Sequence, residues 1–106
     1  MVTMQDREKA FENKYAHDQE TKFRVIARRN KLLGQWAAGL LGKSEADAAA
    51  YAGEVVAADF EEAGDEDVVR KVAGDLKAGG LSQSEDEIRV KMIELLAVAA
   101  AQIEAS

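Results

Sequence analysis

The 106-residue chain has no cysteine and no proline. The first absence removes both a disulfide framework and a thiolate metal site, and fits a reducing compartment. The second means that no residue breaks a helix from within by clashing with the preceding turn and withholding a donor. Long apolar runs are missing too: nothing approaches the roughly 18 residues needed to span a bilayer. The opening "MVTMQDREKAFENKY" has no apolar h-region, so neither a signal peptide nor direct membrane contact is expected, and the chain reads as cytoplasmic. There is no phosphate-cradling glycine loop, HExxH, CxxC or nucleophile elbow. The chain has one histidine, and the i+1 and i+3 spacing of Asp18 and Glu20 does not place all three on one helix face. No enzyme, no metal site and no resident cofactor are therefore expected.

What is present is 47% hydrophobic residues, much of it alanine, in a length that suits one domain. This favours an all-α fold, punctuated by glycine and by caps. "LLGKSEAD" offers Gly42 as a helix stop, then Ser44 with Asp47 in a capping-box spacing. "FEEAGDEDV" has Gly64 as a stop and Asp65 as an N-cap, with Glu66 and Asp67 where a helix N-terminus favours anions. "AGGLSQSEDE" supplies Gly79 and Gly80, then Ser84 with Glu87. Three breaks separate four helices, at about 18–42, 44–62, 65–78 and 84–104.

Apolar spacing gives each helix one face to bury. In the first, Phe23, Ile26, Ala27, Leu33, Trp36, Ala37, Leu40 and Leu41 align; in the second, Ala48, Tyr51, Ala52, Val55, Val56 and Phe60. The third places Val68, Val69, Val72 and Leu76 together, and the fourth Ile88, Met92, Leu95, Leu96, Ala99 and Ile103. Short connections favour antiparallel neighbours, hence a four-helix bundle over residues 18–106. Gly34, Gly39, Gly53 and Gly74 lie within predicted helices. Close helix approach would account for such residues, as would a kink at Gly34 or Gly39.

The N-terminal 17 residues differ in kind. Phe11 and Tyr15, four apart, could share a helix face, but too few apolar residues accompany them for a stripe that would dock on the bundle. A flexible arm that orders on binding is expected, with the two aromatics as anchors for a partner groove. Charge is split in the same sense. Residues 1–31 hold eight Lys/Arg and five Asp/Glu, a net of +3, whereas residues 32–106 hold six and fifteen, a net of −9.

Arg24, Arg28 and Lys31 follow i, i+4, i+7 and make a basic ridge with Arg29 to its side. Nucleic acid is a poor partner for it, because the acidic body would repel a polyanion and no aromatic platform accompanies the ridge. A solvated face, contacts to acidic residues of other helices, or an anion contact through Arg28, Arg29 and Lys31 that binds adenine nucleotide weakly all fit. Two other readings fit the chain as a whole: a small nucleotide- or anion-sensing protein, and a homo-oligomeric interaction module.

Four blocks, "DREKAFENKYAHDQETKF", "ARRNKLLGQWAA", "YAGEVVAADFEEAGDEDVVRKVAGDL" and "SEDEIRVKMIELLA", together resemble the alphaproteobacterial DUF1476 family, the ζ subunit of the F1Fo-ATP synthase and an inhibitor of F1-ATPase. The resemblance covers nearly the whole chain in the same order. It implies a four-helix bundle whose N-terminal segment enters a catalytic αβ interface of F1 and arrests ATP hydrolysis. Mapped onto this sequence, the inhibitory region comprises Asp6, Arg7, Glu8, Phe11, Glu12, Ala16, His17 and Asp18. Together with the anchor Tyr15 and the steering cations Lys9 and Lys14, these form the expected partner-binding set. The implied partners are the F1 α and β subunits, reached by a chain that is monomeric when free and peripheral to the inner membrane only through F1. Because histidine as a residue type titrates near neutrality, His17 would admit a pH-dependent version of inhibition. Met4, Tyr15, Gln19, Thr21 and Gly39 depart from the residues more usual in the family.

Overall fold

The structure, a computed structural model, describes residues 19–59 and 65–105. Four helices account for most of them: α1 (Gln19–Leu40), α2 (Glu45–Ala58), α3 (Glu66–Ala78) and α4 (Glu85–Ala105). The all-α, four-helix reading holds. The central element is α1, which packs most extensively against α2 and α4, and also reaches α3.

Helix ends follow the local chemistry of the sequence. Ser44 adopts an extended backbone and its side chain accepts from the Asp47 N–H at 3.2 Å, capping α2. At α4 the box is reciprocal: the Glu87 N–H donates to Ser84 Oγ at 3.1 Å, and the Ser84 N–H donates to Glu87 Oε1 at 3.4 Å. The stops after α1 and α3 share one design. Gly42 and Gly80 take positive φ, 71° and 83°. The following N–H groups of Lys43 and Leu81 then reach back to the carbonyls of Ala38 and Leu76, at 3.0 and 2.9 Å. Gly79 contributes differently, since a Cβ there would strike the Leu41 side chain at the end of α1.

The main core joins Leu33, Ala37 and Ala38 of α1, Tyr51 and Val55 of α2, Val68, Val69, Val72 and Leu76 of α3, and Ile88 and Met92 of α4. A second cluster, Val25 with Leu96 and Ala99, closes the N-terminal half of α1 against the C-terminal half of α4. The stripe expected of α3 is buried in full. That of α4 is buried at Ile88, Met92, Leu96 and Ala99, with Ile93 added to it. Trp36 is partly buried against the main core, with the Lys91 ammonium 5.6 Å from its ring centroid.

Two of the α1 expectations need correction. Phe23 is 54% exposed and Leu40 38%, whereas Val25 is fully buried and was absent from the expected stripe. Arg29 and Asn30 are buried on the same side as Val25, Leu33 and Ala37. Counting apolar residues alone overlooks a buried face that includes a paired cation and an amide. Of the internal glycines, Gly34 marks a close crossing: a Cβ there would lie 2.6 Å from the Ala52 backbone of α2. Around Gly39, Gly53 and Gly74 there is open space instead.

Candidate functional site

The expected partner-binding residues Asp6, Arg7, Glu8, Lys9, Phe11, Glu12, Lys14, Tyr15, Ala16, His17 and Asp18 lie outside the described residues. So does Phe60. What the structure does describe is the platform into which the N-terminal residues run, the first turns of α1.

Three side chains were grouped by sequence as an anion contact: Arg28, Arg29 and Lys31. The fold separates them. Arg28 and Lys31 are exposed, whereas Arg29 is buried. The Arg29 guanidinium donates to Asp65 through Nη2 to Oδ1 at 2.8 Å and Nη1 to Oδ2 at 3.3 Å. It also donates to Asn30 Oδ1 from Nε and Nη2, at 3.1 and 2.9 Å. A guanidinium presents a planar fork that matches a carboxylate in this two-point way, and here it ties α1 to the start of α3.

Asp65 occupies the N-cap position expected of it, yet forms no capping bond. Its backbone is helical, φ −94° and ψ −5°. A capping side chain needs an extended backbone to reach the N–H groups of the first turn, so this carboxylate turns to Arg29 instead. Asp59, which ends α2, joins the same cluster. Burial raises its carboxyl above the ordinary value, with Asp65 and Asp67 adding to the effect. Arg29 and Asn30 pull it the other way. Asn30 Nδ2 is buried beside this cluster without a hydrogen bond of good geometry.

Contacts from the basic cluster to acidic residues of other helices were among the sequence readings, but neither the burial of Arg29 nor its partner Asp65 was. A signal for that burial existed: Val25, Arg29, Leu33 and Ala37 are spaced four apart, which places Arg29 on the buried line.

A second polar cluster lies further along α3. The Tyr51 hydroxyl donates to Asp75 Oδ2 at 2.8 Å, and Lys71 Nζ reaches the same oxygen at 3.1 Å. The ammonium groups of Lys43 and Lys71 lie 5.5 and 5.2 Å from the Tyr51 ring centroid. Burial and the Asp75 carboxylate push the Tyr51 hydroxyl well above its usual value, so it stays protonated as a structural donor. Among the described residues, no group of three His, Cys, Asp or Glu could hold a metal ion, and no helix is long and apolar enough to cross a membrane. Two open surface grooves flank α3. One, of about 570 Å³, is bordered by Arg70, Lys77, Leu81 and Gln83, and the other, of about 440 Å³, by Glu54, Asp67 and Lys71.

A family model described as ATPase inhibitor subunit ζ matches residues 1–102. A protein solved by solution NMR is 56% identical, with 79% of this chain and 95% of that one covered and a TM-score of 0.71. Among curated proteins, none matches.

Proposed function

This chain belongs to the family of ATPase inhibitor ζ subunits, and on that premise we propose that it restrains ATP hydrolysis by F1 through its N-terminal residues, at a catalytic αβ interface. The observation that carries this reading is the extent of the family match, which runs through residues 1–18 as well as the bundle. The chain is a regulator, not a catalyst.

In this mechanism the arm, residues 1–17, folds as it binds. Phe11 and Tyr15 bury their rings in the cleft, while Arg7, Lys9 and Lys14 steer the segment and pair with acidic groups of F1. Asp6, Glu8, Glu12, Ala16, His17 and Asp18 complete the binding set. Ordering the arm costs conformational entropy, so affinity has to come from aromatic burial and charge pairing. The bundle supplies the bulk that stops the subunits from closing, and its place at the membrane comes through F1.

Deleting residues 1–17 tests this directly. Purified F1-ATPase from the same source should be inhibited by the full chain and not by the truncated one. Equal inhibition by the two would overturn the proposal. Replacing His17 with alanine should flatten the pH profile of inhibition if that residue contributes; an unchanged profile removes it from the mechanism.

A further inference from the structure

The exposed face of α1 has no role in the bundle. Arg24, Arg28 and Lys31 lie along it, all exposed, in a line about 10 Å long at 1.5 Å per residue. None is paired with a carboxylate among the described residues, although the molecule carries an excess of acid and other cations are engaged. Arg29 holds Asp65, Arg70 holds Asp67, Lys71 holds Asp75, Arg89 holds Glu66 and Asp86, and Lys91 holds Glu94. Like charges one helical turn apart repel each other, so the ridge opposes α1 slightly rather than stabilising it. Gln35 and Gly39, further along the same face, are exposed as well.

The ridge starts six residues after Asp18 and lies on the helix into which the N-terminal segment runs. A partner that takes up that segment is therefore brought close to the start of this helix.

Building on the function proposed above, we infer that Arg24, Arg28 and Lys31 form a second docking surface for F1, on an acidic patch flanking the cleft that receives the N-terminal residues. The chemistry suits a protein carboxylate surface better than a polyanion. The ridge is three cations wide on a chain of net charge −6, enough to steer and orient against an acidic patch but poorly placed to hold a phosphate backbone. Arg29 takes no part, being committed to Asp65. Charges at the rim of an interface act mainly on the association rate and its salt dependence, so the ridge would speed and align docking while the arm holds.

The test uses four full-length proteins against purified F1-ATPase from the same source: the parent, R24Q/R28Q/K31Q, R24K/R28K and F11A/Y15A. At low ionic strength the ridge variant should need about tenfold more protein for half-inhibition, with the same maximal inhibition. Raising salt to about 0.3 M should largely erase that difference, because exposed charges are then screened. Its thermal unfolding should be unchanged or slightly higher, and the charge-retaining R24K/R28K variant should match the parent within about twofold. An unchanged half-inhibition for the ridge variant at both salt concentrations overturns the ridge and leaves the arm mechanism standing. Full potency of F11A/Y15A alongside a weakened ridge variant overturns the arm mechanism and leaves the ridge. Binding of a short duplex DNA that is lost in the ridge variant, with F1 inhibition unaltered, would show that the ridge serves a different partner and overturn the inference.

Discussion

Arg28 and Arg29 are neighbours in sequence and opposites in the fold. One projects from the exposed side of α1 with no carboxylate partner among the described residues, while the other is buried and holds Asp65 and Asn30. The contrast extends to whole faces. The side with Val25, Arg29, Leu33 and Ala37 is the seam on which α2, α3 and α4 assemble, and the side with Arg24, Arg28 and Lys31 adds nothing to that seam. The same residue type is thus structural on one side and available to a partner on the other. Orientation decides which, since a cation gains a strong fixed contact only where burial removes the competition of water.

Replacing each arginine with alanine would break or sharpen this contrast most directly. Arg29→Ala should cost about 2 kcal/mol, because Asn30 loses its donors and the α1–α3 tie is cut. The loss stays below the usual cost of breaking a buried pair because Asp65 is half exposed and water can solvate its carboxylate. Arg28→Ala should stay within about 0.5 kcal/mol of the parent. Urea denaturation of the two variants measures the difference, and equal losses would refute the assignment of faces.

A smaller effect separates the two glycines of α1. Gly34→Ala should lose about 1 kcal/mol net, since the added methyl meets the Ala52 backbone, which cannot yield as a flexible side chain can. Gly39→Ala, with open space around it, should gain about 0.7 kcal/mol from helix propensity. Thermal unfolding should move in opposite directions for the two, and a shared sign would mean that the helix crossing is wrongly placed.

The smallest effect is one of pH. Asp59 has a raised carboxyl in the folded state, caused first by burial. The folded protein therefore holds the proton more tightly than the unfolded chain, and ionised Asp59 opposes folding above its folded pKa. This penalty fades as the pH falls through that value toward the unfolded one. Asp59→Asn should accordingly raise the melting temperature at neutral pH, with the gain shrinking toward about pH 4. A gain that grows on acidification would contradict the burial of this carboxyl.

Much of the architecture was legible from local patterns. Ser44, Gly42, Gly80 and the Ser84–Glu87 pair act where they stand because capping and left-handed turns are settled by a few adjacent residues. Val68, Val69, Val72 and Leu76 were equally plain, since a short helix with four apolar side chains on one arc has a single way to bury them. Residue 65 was read correctly as a position and wrongly as a role: its preferred local bond lost to a guanidinium 36 residues away in sequence. Phe23 was misjudged for the converse reason. Its periodicity is right, but it stands near the N-terminal end of α1, where the described neighbours leave it about half exposed. For the expected partner-binding set in residues 6–18, the family resemblance supplies Asp6, Arg7, Glu8, Phe11, Glu12, Ala16, His17 and Asp18, while Lys9, Lys14 and Tyr15 come from charge and aromatic spacing, and the described helices add only the platform that follows.

By itself the sequence determined the helix count, the breaks between helices, the family and the charge split, because each depends on nearest neighbours or on residue identity alone. Tertiary structure alone decided which arginine would be buried, which glycine would sit at a close helix crossing and which acid would be raised. Those outcomes depend on what another helix brings to the same point, and no local pattern contains the position of the other helix.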